Sequence, residues 1–350
     1  MKFELSDDQA LLRNSTRDFL TSEFPLEKSR NVMEHSKEGY DPGEWRRLAE
    51  MGYLGLVLPA RVGGQGLGAV ELAVVLEEMG RLCLPGPFLD VVLAASVLTA
   101  GGKHDALVGE IVAGKKIATL ACHDAPYAGT AARPLAVTSG RVQGTKYFVP
   151  FAASADALVV AGSDGLALAH GPFAVTALST IDLAQRFGDV ALEHPVTPIG
   201  PLALLDRVDR LAAVGASAML LGIMARSLEM TLEYVQTRQA FKRPIGAFQA
   251  LQHRLADMLL KTESTRSAVY RAAWCLDTDD TDAALACATA KAYAGDAARL
   301  VCGETIQMHG GIGFTWELDV QLYFKRAKTL EQHYGSTEVQ LERALAAAGY

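Results

Sequence analysis

The apolar residues of this 350-residue chain change their spacing twice, and no single motif narrows the fold as much. Up to about residue 115 they recur at three- and four-residue steps, as in EWRRLAEMGYLGL (44–56) and AVELAVVLEEMGRLCL (69–84). That spacing lines one face of a helix. Ser6 precedes the first helical run as an N-cap. The break PARVGGQGLG (59–68) lacks the Lys-Ser/Thr of a phosphate loop and the strand-then-helix setting of a dinucleotide fingerprint, so it reads as a structural turn. From about residue 116 come short β-leaning runs, ATLACH (118–123), PLAVTS (134–139), KYFV (146–149) and DALVVAG (156–162), parted by SGRVQG and GSDG turns. Past Pro201 the helical period returns. Met224, Leu228, Leu232 and Val235 form a stripe on one helix, and three more helical segments begin near Phe248, Thr281 and Val320. The expectation is an α+β chain with an N-terminal all-α domain (1–115), a middle β-domain (116–201) and a C-terminal four-helix bundle (202–350).

Composition removes several function classes. A net charge of −7 without a dense basic run argues against a nucleic-acid surface. Cys83, Cys122, Cys275, Cys287 and Cys302 are scattered, with no C-x-x-C pair and no His at zinc spacing. They read as reduced thiols of a cytoplasmic protein, with no metal site. No apolar run approaches the length of a membrane span, and the first twenty residues lack the apolar core of a secretory leader.

Two segments carry chemistry. In RQAFKRPIGAFQALQHRLADM (238–258) a helix ends near Arg238, Pro244 and Gly246 make a break, and a new helix starts near Phe248. An arginine at such a junction offers a planar, permanently charged fork that suits a pyrophosphate. Phe241, three residues on, can cover an adenine face, although a helix hairpin with surface cations has the same pattern. In QMHGGIGF (307–314), Gln307 sits at a helix end before Gly310 and Gly311. These glycines permit close backbone approach to a ligand, or simply stop the helix.

In this order and spacing, Arg238-x-x-Phe241 with PIGAFQALQH, Gln307-x-x-Gly310-Gly311 with GFTWE, and Tyr334-Gly335-Ser336 in EQHYGSTEVQ (331–340) resemble the acyl-CoA dehydrogenase family. WRRLAEMGYLGLVLPARVGGQGLG (45–68) and VQGTKYFVPFAASADALVV (142–160) fit it too, so the resemblance covers nearly the whole chain. It implies a tetrameric α–β–α flavoenzyme that binds FAD, oxidises an acyl-CoA thioester to the 2-enoyl-CoA, and passes electrons to a separate acceptor. A base removes the α-proton while hydride leaves the β-carbon. In the family that base is commonly a glutamate before the glycine of the last turn; here the position is Tyr334. A phenol of ordinary pKa costs about 4 kcal/mol to ionise at pH 7. Glu331 and Glu338 lie nearby in sequence but point elsewhere on a helix or turn. The family's other base position falls near Ala212, with Asp206 and Asp209 within one or two turns.

Two further departures accompany the missing base. The loop that wraps the flavin ring in the family corresponds to ACHDAPYAGTAA (121–132), where only Gly129-Thr130 echoes the usual Gly-Ser pair. The glycine usual after Arg-x-x-Phe is Lys242. The resemblance assigns Arg238, Phe241, Gln307, Gly310 and Gly311 to the adenine and pyrophosphate end of a neighbouring subunit's FAD, and counts Ser336 among the cofactor contacts. The chain therefore reads as one that keeps what it lends and has lost what it would use: the base-lacking subunit of a heteromeric acyl-CoA dehydrogenase, similar to bacterial enzymes of steroid side-chain degradation. A self-sufficient dehydrogenase with its base at Asp206, Asp209 or Tyr334 is the second reading. A flavin oxidase or hydroxylase of the same fold is the third.

Overall fold

The computed structural model describes residues 4–126, 134–138 and 140–350. Six helices come first: α1 (Asp7–Glu23), α2 (Leu26–His35), α3 (Pro42–Glu50), α4 (Ala69–Arg81), α5 (Phe88–Gly101) and α6 (Asp105–Val112). Strands follow as β1 (Ala118–Ala121), β2 (Val137–Thr138), β3 (Arg141–Pro150), β4 (Ala157–Ala161), β5 (Leu166–His170), β6 (Ala174–Leu178) and β7 (Phe187–Gly200). The chain ends with α7 (Leu205–Thr237), a small hairpin of β8 (Gln239–Ala240) and β9 (Arg243–Pro244), then α8 (Gln249–Asp277), α9 (Ala283–His309), α10 (Val320–Gln332) and α11 (Thr337–Ala347). This is the expected order of helices, sheet and helical bundle.

Contacts group the residues into two compact units. One comprises Met1–Ser29, Ala69–Leu84 and Arg210–Tyr350; the other comprises Arg30–Gly68 and Pro85–Asp209. In the first, local chemistry sets the helix ends. Ser6 caps α1 in a reciprocal box with Gln9, each side chain satisfying the other's backbone N–H. The N-terminus of α4 is capped from afar, its Ala69 and Val70 N–H groups donating to the Asp277 carboxylate at 2.6 and 3.0 Å. Helices α4 and α7 meet through glycine. A Cβ on Gly80 would overlap the Met219 carbonyl oxygen and lie 2.9 Å from its carbonyl carbon, and one on Gly222 would lie 2.8 Å from the Arg81 nitrogen. Glu77 of α4 is buried and takes hydrogen bonds from the Arg266 guanidinium and, at 2.8 Å, from the Tyr270 hydroxyl of α8.

Two sequence expectations need correction here. Met224, Leu228 and Val235 are buried, but Leu232 is exposed. Its place on the inward face of α7 belongs to Thr231, which is buried because its hydroxyl finds partners, Ser227 O at 2.7 Å and Thr305 Oγ1 at 3.1 Å. The expectation that no apolar run reaches membrane length also fails. Leu202–Thr237 is long and apolar enough, yet 83% of its apolar window is buried inside the protein, as in a core helix.

In the second unit the sheet order is β1-β4-β5-β7-β3-β2, with β6 also on β7. Strand β7 joins the two parts of this half-barrel. Its first residues pair antiparallel with β3 and β6, and Val196–Gly200 pair with β5. Val142, Val149, Leu158, Val160, Val190 and Leu192 fill the core. The glycine-rich break is a structural turn folded on its own backbone, with Gln65 N–H donating to Gly55 O at 2.9 Å and Gly66 N–H to Leu58 O at 2.8 Å.

Candidate functional site

The bundle brings the two predicted chemical segments to one end. The Arg238 N–H donates to Tyr234 O at 2.8 Å, closing α7, and the Tyr234 ring stacks on His309 at the end of α9 with centroids 4.3 Å apart. His309 is fixed in turn by a 2.7 Å hydrogen bond between its Nδ1 and Thr305 O. The end of α7 that leads into Arg238 thus meets the end of α9 that carries Gln307 and leads into Gly310 and Gly311. The Arg238 and Gln307 side chains are exposed and have no hydrogen-bond partner among the described residues. Phe241 is 89% exposed at the tip of the β8–β9 hairpin, edge-on to Phe248, over which the Arg243 guanidinium lies at 4.1 Å. Phe241 and Lys242 are the two central residues of that hairpin and both have left-handed backbones, φ 51° and 66°. Asn-Gly usually fills such a turn; here a bulky residue and a lysine accept a strain of roughly 1–2 kcal/mol each. Gly310 has φ 65°, and a Cβ added there or at Gly311 would meet nothing within 4 Å. The chain's own packing therefore does not explain why Gly311 is glycine.

The Tyr334 turn lies elsewhere. The Lys291 ammonium of α9 donates to Glu331 O at 3.1 Å and Gly335 O at 3.0 Å, and Gln340 Nε2 donates to Tyr334 O at 2.8 Å. Tyr334 takes a left-handed backbone, φ 63°, and its ring lies 3.8 Å from that of His333. Ser336 caps α11, its hydroxyl accepting from Val339 N–H at 3.5 Å. Glu331 is buried in an ion pair with Lys328, and Glu338 is exposed in the first turn of α11. Lys291 and Gln307 are sixteen residues apart on α9, so the turn lies about 24 Å along the helix from the Arg238 end. In one molecule of this chain the Arg238 end and the Tyr334 turn therefore lie apart, not together.

Sequence reading did not single out Lys291, although it is the lone charge in the alanine-rich stretch CATAKAYAG. Burial pushes its pKa down to about 8, against the pull of Glu331. Between pH 8 and its ordinary value near 10.5 the unfolded chain holds a proton here that the folded chain has shed, so stability rises with pH in that window. Relative to Lys291→Met, the wild-type chain should gain about 2 kcal/mol from pH 7 to pH 10. Paired urea titrations check this, and a flat difference would show that the ammonium is not penalised.

The other proposed base positions are poorly enclosed. Asp206 and Asp209 are exposed in the first turns of α7, while Ala212 is buried. Asp209 stands close enough to Cys122 to add to the effect of burial, which pushes that thiol up to about 12. The Gly129-Thr130 echo lies outside the described residues.

Comparison with known proteins gives this arrangement its context. Family models described as the acyl-CoA dehydrogenase N-terminal and C-terminal domains match residues 6–106 and 210–349. The chain belongs to the acyl-CoA dehydrogenase family. Among relatives, it is 34% identical to acyl-CoA dehydrogenase IpdE2 of Mycolicibacterium smegmatis over 97% of this chain and 98% of that protein. It is 33% identical to acyl-CoA dehydrogenase FadE27 of Mycobacterium tuberculosis over 88% of each. Its fold is similar to that of a variant of the Tcur3481-Tcur3483 steroid ACAD, with TM-score 0.90, 29% identity and 98% of each chain covered. It is equally similar to the ChsE4-ChsE5 complex from Mycobacterium tuberculosis, with TM-score 0.89, 29% identity, and 100% and 99% covered. As an acyl-CoA dehydrogenase, the chain is an oxidoreductase acting on acyl-CoA, and Tyr334 stands on the turn where the family resemblance leads one to look for a glutamate.

Proposed function

We propose that this acyl-CoA dehydrogenase is the base-lacking subunit of a cytoplasmic heteromeric flavoenzyme, in which it helps a homologous subunit hold FAD. One observation carries the reading. The Arg238, Phe241 and Gln307 side chains are exposed about 24 Å along α9 from the turn where a base would stand, with the Arg238 and Gln307 polar groups unpartnered among the described residues. Groups so placed serve a ligand bound mainly by another chain.

The residues present fit FAD. Arg238 offers an uncommitted guanidinium for the pyrophosphate, beside Lys242 and Arg243. Phe241 offers a ring face for adenine, on a strained hairpin that holds it out from the chain. The backbone at Gly310 and Gly311 leaves open space for close approach. FAD supplies the hydride acceptor for the β-carbon of the acyl chain, and a separate protein takes its electrons onward. The Tyr334 turn is held by Lys291 and Gln340 but presents no carboxylate, so the proton from the α-carbon needs a base on the partner. The likeness to a steroid ACAD and to the ChsE4-ChsE5 complex supports a paired arrangement and a bulky, steroid-derived acyl group.

The flavin-to-protein ratio of the chain purified alone, with excess FAD supplied, tests the proposal. Little flavin alone and recovery on co-expression with a homologous subunit is the expected result. One flavin per chain in a homo-oligomer that bleaches with acyl-CoA would favour a self-sufficient enzyme.

A further inference from the structure

Elsewhere in the first unit, helices α1 and α8 flank an open cavity of about 490 Å³. Gln9 and Arg13 line it from one face of α1; Arg266, Tyr270 and Trp274, spaced four residues apart, line it from one face of α8. The charges around it are unevenly committed. Arg266 is bound to Glu77 and Glu263, and the Tyr270 hydroxyl donates a hydrogen bond to Glu77. Gln9 is engaged with Glu71 at 2.8 Å. Arg13 differs: its guanidinium has no hydrogen bond or ion pair among the described residues, and its Nε is shut off from solvent. The Nε is shut off from the cavity as well as from solvent, so it is the terminal guanidinium nitrogens, likewise without a partner among the described residues, that are left to take an acceptor from outside the chain.

We infer that this cavity is a binding site for a small organic monoanion with a flat apolar body, such as an aromatic or alicyclic carboxylate. The carboxylate takes the open Arg13 fork, and the ring packs against Tyr270 and Trp274. A single spare cation sets the charge. Glu4 and Glu263 also line the cavity, and they disfavour a phosphate or a dianion. The volume is that of a small-ligand pocket.

The probe is 2-naphthoate, with neutral 2-naphthylmethanol as its shape-matched control, each titrated calorimetrically into the full-length protein. Naphthoate should bind at least about tenfold more tightly than the alcohol, the margin expected of one charge-assisted pair. Arg13→Gln should remove that margin and Arg13→Lys should keep part of it, both with unchanged melting temperature and flavin content, since Arg13 supports no contact of the fold. Equal binding of the two probes, undiminished naphthoate binding in Arg13→Gln, or no naphthoate binding at millimolar concentration would each overturn the assignment.

Discussion

Gly222→Ala is expected to destabilise the fold strongly, with a clearly lowered melting temperature. The added Cβ would overlap the Glu77 carbonyl oxygen and sit 2.9 Å from its carbon and 2.8 Å from the Arg81 nitrogen. Every obstacle is backbone, so no rotamer change relieves it; α4 and α7 must separate. Separation would pull at the groups that tie α4 to its neighbours: Glu77 to Arg266 and Tyr270, Glu78 to Arg17, and Arg81 to Glu229. Glu77 and Glu78 are each only 2% exposed, so loosening their partners leaves charge buried without compensation. Overpacking and weakened ion pairs together place the cost on the order of 3–5 kcal/mol. For a chain of this size that lowers the thermal midpoint by roughly 5 °C. Gly311→Ala is the control, because its Cβ enters open space. A Gly222→Ala protein melting within a degree or two of wild type would show that the helices can part cheaply.

Gly222 also illustrates what sequence could and could not say. The reason for it, a backbone crossing between α4 and α7, depends on two segments about 140 residues apart. The element grammar was legible because helix and strand periods are local, and so was the Ser6 cap, which acts over three residues. Leu232 was misplaced because hydrophobicity alone cannot see a threonine made buriable by a partner on another helix. The last helix, α11, went unseen because it leaves Leu341 and Leu345 exposed, which blurs its period. At the candidate site, Arg238, Phe241, Gln307 and Tyr334 came from order and spacing, but their grouping did not. The Tyr234–His309 stack and the Lys291 strut depend on tertiary contact, and only they show that the motifs fall at two separate places on the bundle.

That separation leads to the second large effect, measured on the chain assembled with a homologous subunit. Arg238→Ala should strip flavin from the assembly, while Tyr334→Phe should leave flavin content and turnover within about twofold of wild type. The Arg238 guanidinium has no partner among the described residues and stands beside a hairpin strained at Phe241 and Lys242, so its removal disturbs nothing in its own fold. Its loss is felt only by whatever it holds. A charge-assisted, two-pronged contact to a pyrophosphate is worth about 2–3 kcal/mol, so FAD should bind roughly thirty- to a hundredfold more weakly. Tyr334 offers no comparable service, since a phenol needs about 4 kcal/mol to ionise at pH 7 before it can accept a proton. Dialysis of the assembled enzyme followed by visible absorbance reads the first effect, and steady-state kinetics with an artificial acceptor reads the second. If Tyr334→Phe abolishes turnover while Arg238→Ala keeps its flavin, the roles are reversed: the chain then runs its own chemistry at the turn and lends nothing at the hairpin.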